Sequence, residues 1–250
     1  MTESPDVSAW SSVRVDAPLG GGHRSQVWSG RTPDGPIVVR RSRRSPESLA
    51  WELALMDRLA DLDFVVPTPV RTADGRRSDG PVVVQRWVPG APPSTEADWR
   101  LVGTELQRLH DATGGSAQRP GCQRVFELGS DGRSVDADLS ALSVENRAMV
   151  LGVFGALADV RTAVIHGDPC GDNIRIASDR TVGLIDWDES RVDVVWHDLS
   201  NLGVRILDPA DHDRALLLSD AWEAANAWIV EPEYARSRLA ALRARLDAVD

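Results

Sequence analysis

The sequence predicts an α+β protein of two lobes: a β-rich first lobe with one helix over residues 1–88, and a mainly helical second lobe over residues 89–250. Three observations predict it. Before residue 88 the apolar segments are short and strand-like, and a single stretch has helical spacing. Pro89-Gly90-Ala91-Pro92-Pro93 then punctuates the chain as a hinge and domain boundary. Beyond residue 94 helical spacing dominates. A chain of 250 residues allows one large domain or two modest lobes, and either buries a substantial core.

In order, strands are expected at 13–19 and 26–30, flanking Gly20-Gly21-Gly22-His23-Arg24-Ser25 as a glycine-rich turn. Glycine permits close backbone approach to phosphate, although a glycine run is also an ordinary turn. A third strand covers 36–41. Arg40 and Arg41 take opposite faces if it alternates regularly. Ser45-Pro46-Glu47 starts a helix, with a capping hydroxyl, a proline in the first turn and an acid at the positive end. Leu49, Leu53, Met56 and Leu59 form its apolar stripe. Residues 82–88 read as an edge strand entering the hinge. Ser94 opens a helix to about 112, with Leu101, Leu106 and Leu109 inward and Gly114-Gly115 stopping it. Residues 114–140 lack periodicity and read as a variable loop. A helix at 143–160 feeds a strand at 163–165. Residues 174–185 alternate on either side of Ser178-Asp179-Arg180 and predict a β-hairpin. Helices follow at about 196–207, 211–229 and 232–248, where Trp222, Trp228 and Tyr234 suit a core better than a sugar platform. No repeat, coiled coil or long low-complexity segment occurs.

The formal charge of −10 disfavours nucleic-acid binding, which relies on clustered basic residues. Residues 1–88 hold 12 Arg and 11 acids of the totals of 28 and 38, so residues 89–250 hold 16 and 27 and carry −11. Such a field attracts a cationic small molecule, and it equally describes an acidic soluble surface. No apolar run has the length of a membrane span, and the N-terminus lacks the regions of a secretion signal, so a cytoplasmic protein without a membrane role is expected. In that setting Cys122 and Cys170 are expected to be free thiols. The sequence contains no lysine.

Residues 166–173 read His-Gly-Asp-Pro-Cys-Gly-Asp-Asn, and Ile185-Asp186-Trp187 places an aspartate thirteen positions after Asn173. Phosphoryl transfer needs a carboxylate beside the attacking hydroxyl and oxygen ligands for a magnesium ion on the phosphates. Asp168, Asn173 and Asp186 are the right residue types. The predicted hairpin would bring Asn173 and Asp186 to one open end. A metal-dependent hydrolase lacks the His-rich ligand spacing it would need.

His-Gly-Asp-x-x-x-x-Asn followed by Ile-Asp-Trp resembles the aminoglycoside phosphotransferase family, the small-molecule branch of the protein-kinase-like fold. The likeness continues through Trp187-Asp188-Glu189 and Trp196-His197-Asp198-Leu199 and covers nearly the whole chain from about Val13. The resemblance implies a bilobal kinase-like fold and transfer of the γ-phosphate of ATP or GTP to a small hydroxylated acceptor, an aminoglycoside first, with antibiotic resistance as the setting. It implies Asp168 as the catalytic base and Asn173 and Asp186 as Mg²⁺ ligands. His166 and Asp198 become supports of the catalytic loop, and His110 a buried packing residue. Gly20, Gly21 and Gly22 would cover the nucleotide, Arg40 would stand where the family has a phosphate-binding Lys, and Glu52 would pair with it. Backbone groups from Gln85 through Trp87 to Val88 would read the base. Macrolides, choline, amino-acid alcohols and sugars are alternative acceptors. Arg at the lysine place leaves a nucleotide-binding pseudokinase as the rival from another class. A monomer or a dimer is compatible with all of this.

Overall fold

The computed structural model describes residues 4–19, 25–128, 133–134, 136–228 and 231–248. Its strands are β1 Arg14–Leu19, β2 Ser25–Thr32, β3 Gly35–Ser42, β4 Val82–Arg86, β5 Thr162–Ile165, β6 Ile174–Ile176, β7 Val182–Leu184 and β8 Arg191–Val194. Its α-helices are α1 Pro46–Asp61, α2 Glu96–Thr113, α3 Val144–Gly155, α4 Trp196–Leu199, α5 Pro209–Ala227 and α6 Pro232–Asp247. The chain divides into two compact units, Met1–Pro92 with Gly171–Asp188, and Pro93–Cys170 with Glu189–Asp250.

In the first unit β1 to β4 form an antiparallel sheet in sequence order. Alternation along β3 and β4 separates two faces. Ile37, Val39, Val82 and Val84 join Trp10 and Trp28 in one core, while Val83 packs with Leu49 and Leu53 of α1 on the other. Arg40 pairs in register with Val83 and so lies on the α1 face. Arg41 turns the opposite way, its guanidinium 5.8 Å from the Trp28 ring centroid. The helix begins where its capping signals sit: Ser45 Oγ accepts from Ser48 N, Pro46 fills the first position and Glu47 the first turn. The outer side of β4, read from sequence as an edge, is covered. Val70 N donates to Val84 O at 2.7 Å and Arg86 N to Thr68 O at 2.9 Å. The hinge joins this unit's hairpin. Ala91 N donates to Ile176 O at 3.0 Å and Ile176 N to Ala91 O at 2.7 Å. Gly90 makes that approach with φ +130, and a Cβ there would lie 2.8 Å from Ile176 O.

The second unit is built on α2, α3, α5 and α6 around the two-stranded β5–β8 sheet. Thr95 and Asp98 close a capping box on α2, one residue after the expected start. Val150 and Phe154 of α3, Leu218 and Trp222 of α5, and Leu239 and Leu242 of α6 enclose Ala163 and Val194. Each such fully buried large apolar side chain contributes about 1.5–3 kcal/mol. Trp222 is therefore core. Two helices are shorter than their patterns predict. α3 ends at Gly155, and α4, expected to continue to 207, stops at Leu199. The break at 200–203 lets Leu202 bury and Gly203 approach Trp99, where a Cβ would lie 2.6 Å from the indole Cδ1. Strand β8 has no counterpart in the sequence reading. Among the described residues no helix is long and apolar enough to cross a membrane; Cys122 is buried and Cys170 exposed.

Candidate active site

The hairpin β6–β7 pairs Ile174 with Leu184 and Ile176 with Val182. At its mouth Ile185 N donates to Asn173 O at 2.9 Å, so Asn173, the last residue of the 3-10 turn Gly171–Asn173, stands opposite the residue before Asp186. The hairpin thus brings together the two residues that the sequence assigns to a metal. Asp186 is exposed and has φ 60, a left-handed conformation uncommon for a residue with a side chain and typical of functional turns. Buried Trp187 holds the turn by donating its Nε1–H to Leu184 O at 3.0 Å.

In the same unit Arg40 is buried between two carboxylates. Its Nη2 donates to Glu52 Oε1 and its Nη1 to Asp188 Oδ1, and Glu52 is fully buried on the α1 stripe. Burial opposes the charge on Arg40, but Glu52, Asp188 and Asp186 more than reverse that and hold it firmly protonated. Arg40 Nε has no acceptor among the described residues. The sequence predicts the Glu52 contact but misses Asp188; the available signal is a second acid two positions after Asp186, matched to an arginine-rich stretch at 40–44. Gly20, Gly21 and Gly22 lie outside the described residues.

The expected base-reading stretch narrows. Gln85 is paired with Val38 in the sheet, its side-chain Nε2 donates to Pro67 O at 3.0 Å, and Trp87 N donates to Pro36 O at 3.2 Å. Among the described residues no hydrogen bond engages the backbone of Val88. Trp87 presents an indole that is 43% exposed.

The segment that begins with His166 leaves β5 in the second unit. Asp198, with no exposed surface, accepts from His166 N at 2.8 Å, Gly167 N at 2.9 Å and His110 Nε2 at 2.9 Å. Burial pushes its carboxyl up, but His110, His166 and the Gly167 amide outweigh this and hold it below the ordinary range. An ionised carboxylate only accepts, which makes His110 the donor. Gly167 has φ +92, and a Cβ there would lie 2.5 Å from Glu189 O, so glycine is needed at that position. His166 is buried, with its Nδ1 3.4 Å from Asp168 N, while Asp168 is exposed. The loop follows β5 because Ile165 pairs with Arg191 of β8. Arg191 is buried, bonded through Nε to Asp193 at 2.8 Å and stacked 3.8 Å from the Trp222 ring centroid. Gln118 borders β8 like a further strand, its amide bonding Val192 O at 2.8 Å and Val192 N at 2.9 Å.

Residues 16–246 match the family model described as the phosphotransferase enzyme family, APH. A homoserine kinase of Granulibacter bethesdensis is 29% identical over 188 residues, covering 68% of this chain and 58% of its own length. The chain spans a little over half the length of the curated relatives it matches. The choline kinase LicA of Streptococcus pneumoniae, also solved with AMP, superposes with a TM-score of 0.64 at 17% identity over 95% of this chain and 93% of its own. An aminoglycoside phosphotransferase of Alicyclobacillus acidocaldarius does so at 0.56 and 18% identity over 99% and 98%. These structures share the protein-kinase-like fold, and with the family match running over nearly its whole length, the chain belongs to the phosphotransferase enzyme family.

Proposed function

We propose that the protein transfers the γ-phosphoryl group of ATP or GTP to a hydroxyl of a small molecule, residues 1–88 serving the nucleotide and residues 89–250 catalysis and the acceptor. The observation that carries this reading is the hairpin mouth, where the Ile185–Asn173 backbone bond sets Asn173 beside Asp186. One amide and one carboxylate oxygen suit Mg²⁺, which takes few protein ligands and leaves its other positions to phosphate and water. Among the described residues no cage of three or more His, Cys, Asp or Glu side chains offers another metal site. When bound, the ion would neutralise phosphate charge. Arg40, oriented by Glu52, supplies positive charge to the α/β-phosphates, and Val88 offers its free backbone groups to the base. Exposed Asp168 orients the acceptor hydroxyl and accepts its proton. In a loose transition state that proton leaves late, so a carboxylate of ordinary basicity suffices and its placement matters most. Asp198, through the backbone of His166 and Gly167, holds the loop that presents Asp168.

For the acceptor we favour an alcohol bearing a cationic nitrogen, an aminoglycoside first. The net −11 of residues 89–250 favours such a cation, and homoserine, choline and aminoglycosides, named for the matched kinases, are all of this type. Mass spectrometry of pooled hydroxylated compounds incubated with Mg-ATP or Mg-GTP tests the reading. A gain of one phosphate on a compound establishes the kinase and identifies its acceptor. Nucleotide binding with no phosphorylated product across aminoglycosides and other amino alcohols would turn the assignment to a pseudokinase.

A further inference from the structure

Asp188 lies two residues beyond Asp186 and is only 6% exposed. Its oxygens serve different elements. Oδ1 accepts from Arg40 Nη1 of β3 at 2.5 Å, Oδ2 accepts from Ser25 Oγ at the start of β2 at 2.7 Å, and its carbonyl accepts from Arg44 Nη2. Glu52 holds the second prong of the Arg40 guanidinium. A planar guanidinium gripped at both prongs has its plane determined; an ammonium is a compact point charge with rotatable donors on a flexible stem, and bonding the same two carboxylates would fix no plane. Both acids and the cation are buried, so loss of the cation strands two carboxylates in the interior, while loss of one acid leaves Arg40 paired but gripped at a single prong. Its Nε–H, which has no acceptor among the described residues, is one that a ligand oxygen would satisfy. Ser25 begins β2, so the carboxylate that orients the cation also fixes the start of that strand.

We propose that Asp188 is a positioning residue for nucleotide phosphates: it orients Arg40, anchors Ser25, and makes arginine, rather than lysine, the cation this chain requires. The proposal rests on the kinase reading above.

A double-mutant cycle of wild type, Arg40→Lys, Asp188→Asn and the double variant tests it, with Kd for Mg-ATP by calorimetry and steady-state kinetics for nucleotide and acceptor. Each single change is expected to raise the nucleotide Kd and KM about tenfold with the acceptor KM unchanged. The double variant is expected to be no worse than either single. Additive losses overturn the pairing, as does a lower melting temperature with an unmoved nucleotide KM. Should Arg40→Lys fail to fold, the cycle of Ser25→Ala with Asp188→Asn carries the same comparison; independent effects there remove Asp188 as the common anchor. A wild type that binds neither Mg-ATP nor Mg-GTP instead overturns the kinase reading and the proposal with it.

Discussion

Two buried charge clusters, one in each unit, have opposite compositions. In the second unit a carboxylate, Asp198, is surrounded by three N–H donors, two from the loop it braces and one, His110, from α2. In the first unit a cation, Arg40, lies between two carboxylates with a third, Asp186, near enough to raise its proton affinity, and its Nε–H is unmet among the described residues. The Asp198 cluster has the satisfied hydrogen bonding of a structural brace. The Arg40 cluster carries surplus negative charge and, among the described residues, an unused donor, so its hydrogen bonding is incomplete where that of the brace is not.

The largest expected effect separates chemistry from the brace. Asp168→Ala should lower kcat by about 10²–10⁴-fold with little change in melting temperature, because Asp168 is exposed and Asp198 grips only its neighbours; unaltered turnover would remove it as the base. Asp198→Ala should cost about 3–5 kcal/mol of stability by leaving buried donors unanswered, measured by denaturant unfolding, while the nucleotide Kd of the folded fraction stays put. A shifted Kd with intact stability would reverse the comparison. Next comes acid. Burial, reinforced by the nearby Arg191 charge, pushes His197 down to about 3 from 6.5. Below 6.5 the unfolded chain binds the proton first, so the full stability above that pH is progressively lost towards 3. Going from pH 7 to pH 5 should cost about 2 kcal/mol, and His197→Phe, which keeps a ring against Trp222, should flatten that slope. The smallest effect is Glu52→Gln, a rise in nucleotide Kd of about tenfold, near 1.4 kcal/mol, with a modest stability loss. If Glu52→Gln changed stability alone, the two clusters would be braces of the same kind.

Features written in short-range chemistry were legible in the sequence. Ser45 with Pro46 starts α1, the Leu49 to Leu59 stripe turns Glu52 inward, and alternation about Ser178-Asp179-Arg180 announces the hairpin that joins Asn173 to Asp186. What escaped depends on distant partners. Arg191-Val192-Asp193-Val194 has the alternation of a half-exposed strand, yet all four residues are buried, because Arg191 and Asp193 neutralise each other and Trp222 covers the guanidinium. Helical spacing runs through 200–207, but Leu202 and Gly203 answer to burial and to Trp99. Asp188 is no more conspicuous than the acid beside it; its partners Arg40 and Ser25 are 148 and 163 positions away.

The same separation has a temporal side. The first unit takes residues Gly171–Asp188 from beyond an intervening stretch of the second. During synthesis, Arg40 and Glu52 therefore emerge long before the hairpin and Asp188. Until then the second acid that pairs with Arg40 in the finished protein has not been made, and the long-range contact that closes the cluster cannot form. The unit that would grip the nucleotide is begun first and completed only after most of the chain has been made.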